Sequence, residues 1–337
     1  MGRVGALAIN RFINYHPQIS LATYEQTSKL FKSPTGNIAE LLNGSDQQTT
    51  RQGIHIHDAV IFNKKFRKNF IKMNNIKVDH ILHLVRNPME QTLSWINHIN
   101  ASAISGIGGW REIPTSAKGF NERYSEHFNM MKPGLQCRTL YKNHRKVKIV
   151  DFPSLASSNI DQTMADIYNF LGVNNSYRSE KFHKSQNNYT RELLSKGIDF
   201  KLNNEVVEIK MAPVDLYFFP EENIKPWITI HDTHDIFKQC PSVPKIDGDL
   251  MFFPRSNAAH NRLSLRTRKM LHEDIRDIVS EILPVWAKNA EVIAQQIEAE
   301  KLRALSEEDC AFVTKMMKDD LDIFTRYHPE FKTLWGI

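Results

Sequence analysis

The chain contains little cysteine, no long apolar run and no block of like charge. Cys137, Cys240 and Cys310 lie far apart and none forms a C-x-x-C pair, so we expect free thiols. No stretch reaches the roughly 18 apolar residues of a membrane-spanning helix, and no basic-then-apolar signal peptide opens the sequence. These absences predict a cytoplasmic protein that neither enters a membrane nor follows the secretory route.

What the sequence does contain is typical of a folded globular protein of one or two domains. Of its 337 residues, 41% are hydrophobic and 24% are charged, which argues against a chain that is disordered throughout. The net charge is +6 and the isoelectric point is near 9.0. Because basic residues are scattered among acidic ones, a nucleic-acid partner is not indicated.

Strand and helix patterns alternate through the first half of the chain. Strands are predicted at 53–62, 78–85 and 147–152, and helices at the N-terminus around Ile9 and at 159–171, where Gly172 ends the second helix. Arg86-Asn87-Pro88 closes the 78–85 strand and starts a helix, with Pro88 in its first turn. This rhythm predicts an α/β fold with a parallel sheet, in which ligands bind at the carboxyl ends of the strands.

The second half of the chain breaks this rhythm. Residues 185–255 contain several prolines and aromatic clusters, and we interpret them as an acceptor-side insertion or lid. After Leu263 the pattern is helical, with one helix ending at Pro284, another over 285–305, and a third that Ser306 caps and that runs towards Tyr327. The predicted organisation is a domain over 1–283 and a helical appendage over 284–337, which serves packing, dimer formation or contact with another protein.

Two residues suggest a phosphate site. Arg86 sits at the carboxyl end of the 78–85 strand, and Ser94 lies eight residues further on, about two helical turns away. A guanidinium and a hydroxyl at this spacing can converge on one phosphate. The run from His83 to Pro88, H-L-V-R-N-P, together with Ser94 resembles the 3′-phosphate-binding motif of sulfotransferases that use 3′-phosphoadenosine 5′-phosphosulfate (PAPS).

A second segment extends the resemblance to roughly residues 3–172. The run I-V-D-F-P-S-L at 149–155 and the helix that ends F-L-G at Gly172 are similar to a strand, loop and helix of the same family. Phe152 stands where many members have tyrosine, and Pro153-Ser154 stand where they have two acidic residues. The resemblance implies a P-loop-like sulfotransferase fold with helices on both faces of the sheet, PAPS as donor and no metal.

The N-terminal run Arg3, Val4, Gly5, Ala6, Leu7 matches the family's 5′-phosphosulfate loop in part. Arg3 supplies the cation and Gly5 the tight turn, and backbone N–H groups at a helix start favour an anion. The family's two hydroxyl residues are absent at Ala6 and Leu7. The fold also needs a strand before this loop, so either the start of the protein lies upstream or the central strand is missing; we favour the former.

The resemblance also assigns candidate catalytic residues. His57 falls on the histidine that removes the acceptor's proton, and His55 on the lysine that supports the bridging oxygen together with Arg3. A side chain that titrates near neutrality suits this proton transfer. Arg255 is the candidate for the C-terminal nucleotide loop, with Arg262 as its substitute. The predicted activity is transfer of the PAPS sulfuryl group to a hydroxyl or amine of a small-molecule acceptor.

Other interpretations stay open at this point. The missing hydroxyls favour a catalytically degenerate relative that binds nucleotide or a protein partner. The two histidines form a structural pair or, with Asp58, His231 or His234, a metal site. A nucleoside-triphosphate enzyme is disfavoured because G-x-x-x-x-G-K-[ST] is absent. A homodimer is compatible with the helical tail.

Overall fold

The computed structural model describes residues 9, 12–22, 51–54, 79–106, 113–141, 146–156, 158–178, 197–213, 226–231 and 249–337. The chain divides into two compact units. The first unit comprises Met1–Ile96, Pro114–Ser185 and Leu302–Ile337, and the second comprises Asn97–Ile113 and Gln186–Lys301. The predicted α/β class is confirmed, because parallel strand pairs and helices together build the first unit.

The first unit contains two parallel strand pairs among its described residues. Strand β1 (Ile19–Ala22) pairs with β2 (Arg51–Ile54), and β3 (Ile81–Val85) pairs with β4 (Val147–Asp151). The apolar segments around 78–85 and 147–152 therefore form strands as predicted, each slightly shorter. Of the strand predicted over 53–62, Gly53 and Ile54 lie in β2, and the remainder falls outside the described residues.

Several helices begin in this unit: α1 (Pro88–Ile104), whose residues from Asn97 onward belong to the second unit, α2 (Ala117–Arg123), α3 (Ser125–Met130), α4 (Pro133–Leu140) and α5 (Ile160–Leu171). A short 3-10 helix, Phe152–Leu155, follows β4. The predicted stop at Gly172 is confirmed, since this glycine has φ +68° and its N–H bonds back to the last turn of α5. One core cluster joins α5 to the N-terminal residues and β4: Ile9, Phe12, Ile13, Ile19, Val150, Ile160, Met164, Ile167 and Tyr168.

The last two helices belong to the first unit. Helix α8 (Glu307–Tyr327) carries two buried aspartates, and each caps another helix. Asp309 accepts a hydrogen bond from the Ala117 N–H at the start of α2 (2.7 Å), and Asp320 accepts from the N–H groups of Gly134 and Leu135 at the start of α4 (both 2.8 Å). Helix α9 (Glu330–Trp335) follows. These bonds join residues 302–337 to the body of the unit.

Ser306 caps α8, as the sequence predicts. Its hydroxyl accepts from the Asp309 N–H (3.1 Å) and lies 3.0 Å from the Asp309 carboxylate. Ser306→Ala is therefore expected to lower the free energy of unfolding by about 1 kcal/mol, the usual cost of losing such a cap. Urea denaturation measures this change. Ser280→Ala, which removes an exposed hydroxyl bonded only to its own helix backbone, should change stability less; equal losses would contradict the capping role.

The second unit is built on an antiparallel sheet. Strands β5 (Ile198–Leu202), β6 (Glu205–Pro213), β7 (Ile228–Ile230) and β8 (Leu250–Pro254) pair in the order β5-β6-β8-β7. Two helices follow, α6 (Asn257–Arg262) and α7 (Leu265–Glu300), and α7 packs on the sheet through one continuous core. The region interpreted as an insertion or lid thus contributes the strands of this sheet.

The helix break predicted at Pro284 is wrong. Helix α7 continues through Pro284 for 36 residues in all, although a proline inside a helix costs roughly 3 kcal/mol. The neighbours Leu283, Trp286 and Ala287 are buried in the core of the second unit. Burial of this apolar face offsets the lost backbone hydrogen bond, so packing decides the outcome against the local propensity.

Every helix within the described part of the chain is too short or too polar to cross a bilayer.

Candidate functional site

The candidate site lies at the carboxyl ends of β3 and β4. The parallel register aligns Val85 with Asp151, so Arg86 and Phe152 follow their strands side by side. The Arg86 guanidinium carbon lies 4.0 Å from the centroid of the Phe152 ring. A cation over an aromatic face is held electrostatically by the ring, worth about 0.5–2 kcal/mol. The structure thus brings together two of the residues predicted to bind the cofactor.

Helix α1 begins directly beside this pair. Pro88 occupies its first position, and the Asn87 side chain accepts a hydrogen bond from the Met89 N–H (2.9 Å). The start of a helix presents unpaired N–H groups and a partial positive charge, which favour an anion. The predicted helix start at Pro88 is therefore confirmed, and Arg86 lies next to its positive end.

Arg86 is largely enclosed but keeps acidic neighbours. Its side chain is 16% exposed, and its Nε atom lies 3.4 Å from a carboxylate oxygen of Glu90, which is itself half-exposed. Burial lowers the pKa of Arg86, while the carboxylates of Glu90 and Asp151 act in the opposite direction. An arginine stays protonated at any physiological pH. A cation in this position can bind an anion that displaces the exposed Glu90 carboxylate.

Ser94 lies on the same face of α1 as Glu90. The four-residue spacing places it one turn beyond Glu90, and its side chain is half-buried. Glu90 and Ser94 therefore lie on one face of α1, and Arg86 precedes the first residue of this helix by two positions. The pairing of Arg86 and Ser94 on one phosphate stays a prediction.

Asp151 interacts both with the adjacent Phe152 and with Trp335 in the last helix. Its Oδ1 atom accepts a hydrogen bond from the Phe152 N–H (3.0 Å), which also caps the 3-10 helix. Burial raises the pKa of Asp151, while the Trp335 side chain and the Phe152 N–H lower it. Trp335, in the last helix, is thus a neighbour of this carboxylate that no local sequence pattern indicates.

Arg255 lies in the second unit, at the end of β8. Its guanidinium contacts Asp199 on β5 (2.5 Å) and Glu208 on β6 (3.6 Å), and Arg262 contacts the same Glu208 (3.2 Å). These ion pairs link neighbouring strands at the sheet surface. An anion at Arg255 would have to compete with two carboxylates, which local sequence could not reveal because both acids belong to other strands.

The remaining predicted site residues all lie outside the described residues: Arg3, Val4, Gly5, Ala6, Leu7, His55 and His57. Strand β2 ends at Ile54, directly before His55. Of the alternative metal ligands, His231 contacts Asp249 (2.7 Å), and no group of three or more potential ligands occurs within the described ranges.

Behind β3, a buried polar network was missed by sequence reasoning. The His83 ring contacts the Tyr141 hydroxyl (2.6 Å) and the Gln136 side-chain oxygen (2.7 Å), and His328 contacts the same hydroxyl (3.2 Å). Burial lowers the pKa of His83 to about 4. A histidine inside an apolar strand pattern is the one local signal for such a network, but it does not identify the partners.

Comparison with protein-family models, with curated proteins and with solved structures gives no match.

Proposed function

We propose that the chain is a PAPS-dependent sulfotransferase with the P-loop-like fold of that family. The observation that carries the proposal is the enclosed Arg86 guanidinium at the carboxyl end of a parallel strand, beside the start of α1 and over Phe152. Together these features favour an anionic ligand that also carries a planar group. A nucleotide with a 3′-phosphate has both, because the phosphate is an anion and the base is planar.

The roles of the described residues follow from their chemistry. Arg86 would bind the 3′-phosphate through charge-assisted hydrogen bonds, with Ser94 adding a hydroxyl donor from the next turns of α1. Phe152 would hold the guanidinium in place through its ring, and its own edge would offer an apolar contact. Glu90 would turn towards solvent, at small cost because its side chain is half-exposed.

The sulfuryl-transfer step would use residues in the N-terminal part of the chain. In the proposed reaction the acceptor oxygen or nitrogen forms a bond to sulfur while the bond from sulfur to the phosphate oxygen breaks. His57 takes the acceptor's proton, and Arg3 with His55 stabilises the negative charge that develops on the leaving oxygen. The products are a sulfated small molecule and 3′-phosphoadenosine 5′-phosphate (PAP).

A calorimetric titration with PAP tests the proposal without an acceptor. The intact chain should bind PAP, and Arg86→Ala should weaken binding by about 10- to 100-fold, the value of one strong charge-assisted contact. ATP, which lacks the 3′-phosphate, serves as the ligand control. Arg266→Ala is the matched protein control, because Arg266 is exposed at the start of α7.

Three outcomes have distinct meanings. Binding of PAP that Arg86→Ala weakens and Arg266→Ala does not would support the proposal. Equal binding of PAP and ATP would indicate a general nucleotide site and contradict the sulfotransferase assignment. Absence of PAP binding by the intact, folded chain would overturn it.

A further inference from the structure

A carboxylate of the protein itself lies against the Arg86 guanidinium. The Glu90 carboxylate accepts a hydrogen bond from the Nε atom of Arg86 at 3.4 Å, and the two residues are four positions apart in the chain. The Arg86 side chain is largely enclosed, whereas half of the Glu90 side chain is exposed. Glu90 is therefore the member of this ion pair that reaches solvent.

The two members of the pair differ in their freedom to move. The Arg86 guanidinium carbon lies 4.0 Å from the centroid of the Phe152 ring, which follows the neighbouring strand. A guanidinium that is enclosed and stacked on an aromatic face keeps its orientation. Glu90 can turn away with little loss of packing, because half of its side chain is already in water. Separation of the pair therefore moves the carboxylate and leaves the cation in place.

Glu90 also belongs to the first turn of α1, where it is the acidic residue. The start of a helix carries a partial positive charge that favours an anion. One carboxylate thus neutralises both features that attract an anion here, the guanidinium and the helix start. Ser94 lies one turn further along the same face of α1. A phosphate that reached both Arg86 and Ser94 would need the place that the Glu90 carboxylate holds.

We propose that Glu90 is an internal counter-anion that sets the affinity of the Arg86 site. In the ligand-free protein its carboxylate holds the place of a phosphate group, and binding exchanges one anion for the other. The guanidinium has an anionic partner in both states, which matters because an unpaired charge in an enclosed site is costly. The identity of the ligand as PAP rests on the proposed function, whereas the exchange applies to any phosphate-bearing anion.

Glu90→Gln tests the exchange, because the amide keeps the size of the side chain but does not compete as an anion. In calorimetric titrations the variant should bind PAP and inorganic pyrophosphate about 3- to 5-fold more tightly, the gain expected from removing one partly exposed ion pair. Glu273→Gln is the matched control, since Glu273 forms an ion pair of the same four-residue spacing with Lys269 on α7 (3.8 Å). This control should leave both affinities unchanged.

An Arg86→Ala background separates competition for the guanidinium from general repulsion of anions. If Glu90 acts by pairing with Arg86, the double variant will bind PAP and pyrophosphate no more tightly than Arg86→Ala alone. If Glu90 only repels a nearby anion, Glu90→Gln will give the same gain with and without Arg86, and the inference is overturned. Because the expected effect is a gain in affinity, misfolding of the variant cannot imitate it.

The inference and the proposed function fail in different ways. Tighter, Arg86-dependent binding of pyrophosphate by Glu90→Gln, without binding of PAP, would refute the proposed function and leave the inference standing. Unchanged or weaker binding of both anions by Glu90→Gln would overturn the inference, while PAP binding by the unaltered chain would still support the proposed function. Absence of binding of either anion, by the unaltered chain and by Glu90→Gln alike, would overturn both.

Discussion

Gly134→Ala is expected to lower the free energy of unfolding by about 3 kcal/mol, at the upper end of overpacking effects. A Cβ atom at this position would meet the Asp320 backbone carbonyl far inside the 3.0 Å that real Cβ atoms keep. The obstacle is helix backbone, so α8 and α4 would have to separate. That movement would also stretch both hydrogen bonds from the start of α4 to the Asp320 carboxylate.

Urea denaturation measures the loss, and Gly119→Ala is the matched control. Gly119 also lies in a short helix of the first unit, but a Cβ there would meet only the Ser116 hydroxyl, at 3.2 Å. Because alanine is the better helix former, this control should be nearly neutral. Two variants of equal stability would show that α8 does not pack on α4 as closely as described.

The second large effect is acid destabilisation through His83. The Gln136 amide nitrogen donates to the Met130 carbonyl (3.0 Å), so its oxygen faces the His83 ring. His83 therefore carries its proton on Nε2, and its Nδ1 accepts from the Tyr141 hydroxyl. Burial away from water disfavours the charged imidazolium, and this holds the pKa of His83 at about 4.

The sign of the pH dependence follows from this shift. The unfolded chain takes up a proton at His83 near pH 6.5, whereas the folded chain does so only near pH 4. The contribution of neutral His83 to the free energy of unfolding is complete above pH 6.5 and is lost as the pH falls from 6.5 to 4. Because of this one group, the free energy of unfolding falls by about 2 kcal/mol between pH 8 and pH 5, and by about 3 kcal/mol between pH 8 and pH 4.

His83→Gln should remove this share of the pH dependence. The free energy of unfolding, measured by urea at pH 8 and pH 5, should change less in the variant by about 2 kcal/mol. His272→Gln, at an exposed position of α7, should keep the pH dependence of the unaltered chain. A pH dependence that is the same with and without His83 would rule out its neutral, buried state.

Neighbouring residues in the sequence predict the strand end and the helix start that form the site. Arg86 follows an apolar strand and precedes a proline, and these neighbours alone place it at a strand end before a helix. Parallel pairing then brings Phe152 beside it, because parallel strands end at the same edge. Gly172 and Ser306 act as helix stop and cap for equally local reasons.

The contacts that the sequence does not predict join residues that lie far apart in the chain. Asn87 and Trp335 are 248 residues apart, and His83 and Tyr141 are 58 apart. Pro284 predicts a helix end because the low helix propensity of proline is visible in the sequence, whereas the apolar packing that outweighs it is not. The sequence around Arg255 likewise predicts a nucleotide contact, because its carboxylate partners lie on neighbouring strands that the local sequence does not include.

The two buried aspartates of α8 have a consequence for protein synthesis. Asp309 and Asp320 accept hydrogen bonds from helix-start N–H groups that lie 192 and 186 positions earlier in the chain, those of Ala117 and Gly134. While the ribosome is still translating the second unit, the starts of α2 and α4 lack these acceptors. The first unit therefore completes its folding only after translation has passed residue 320.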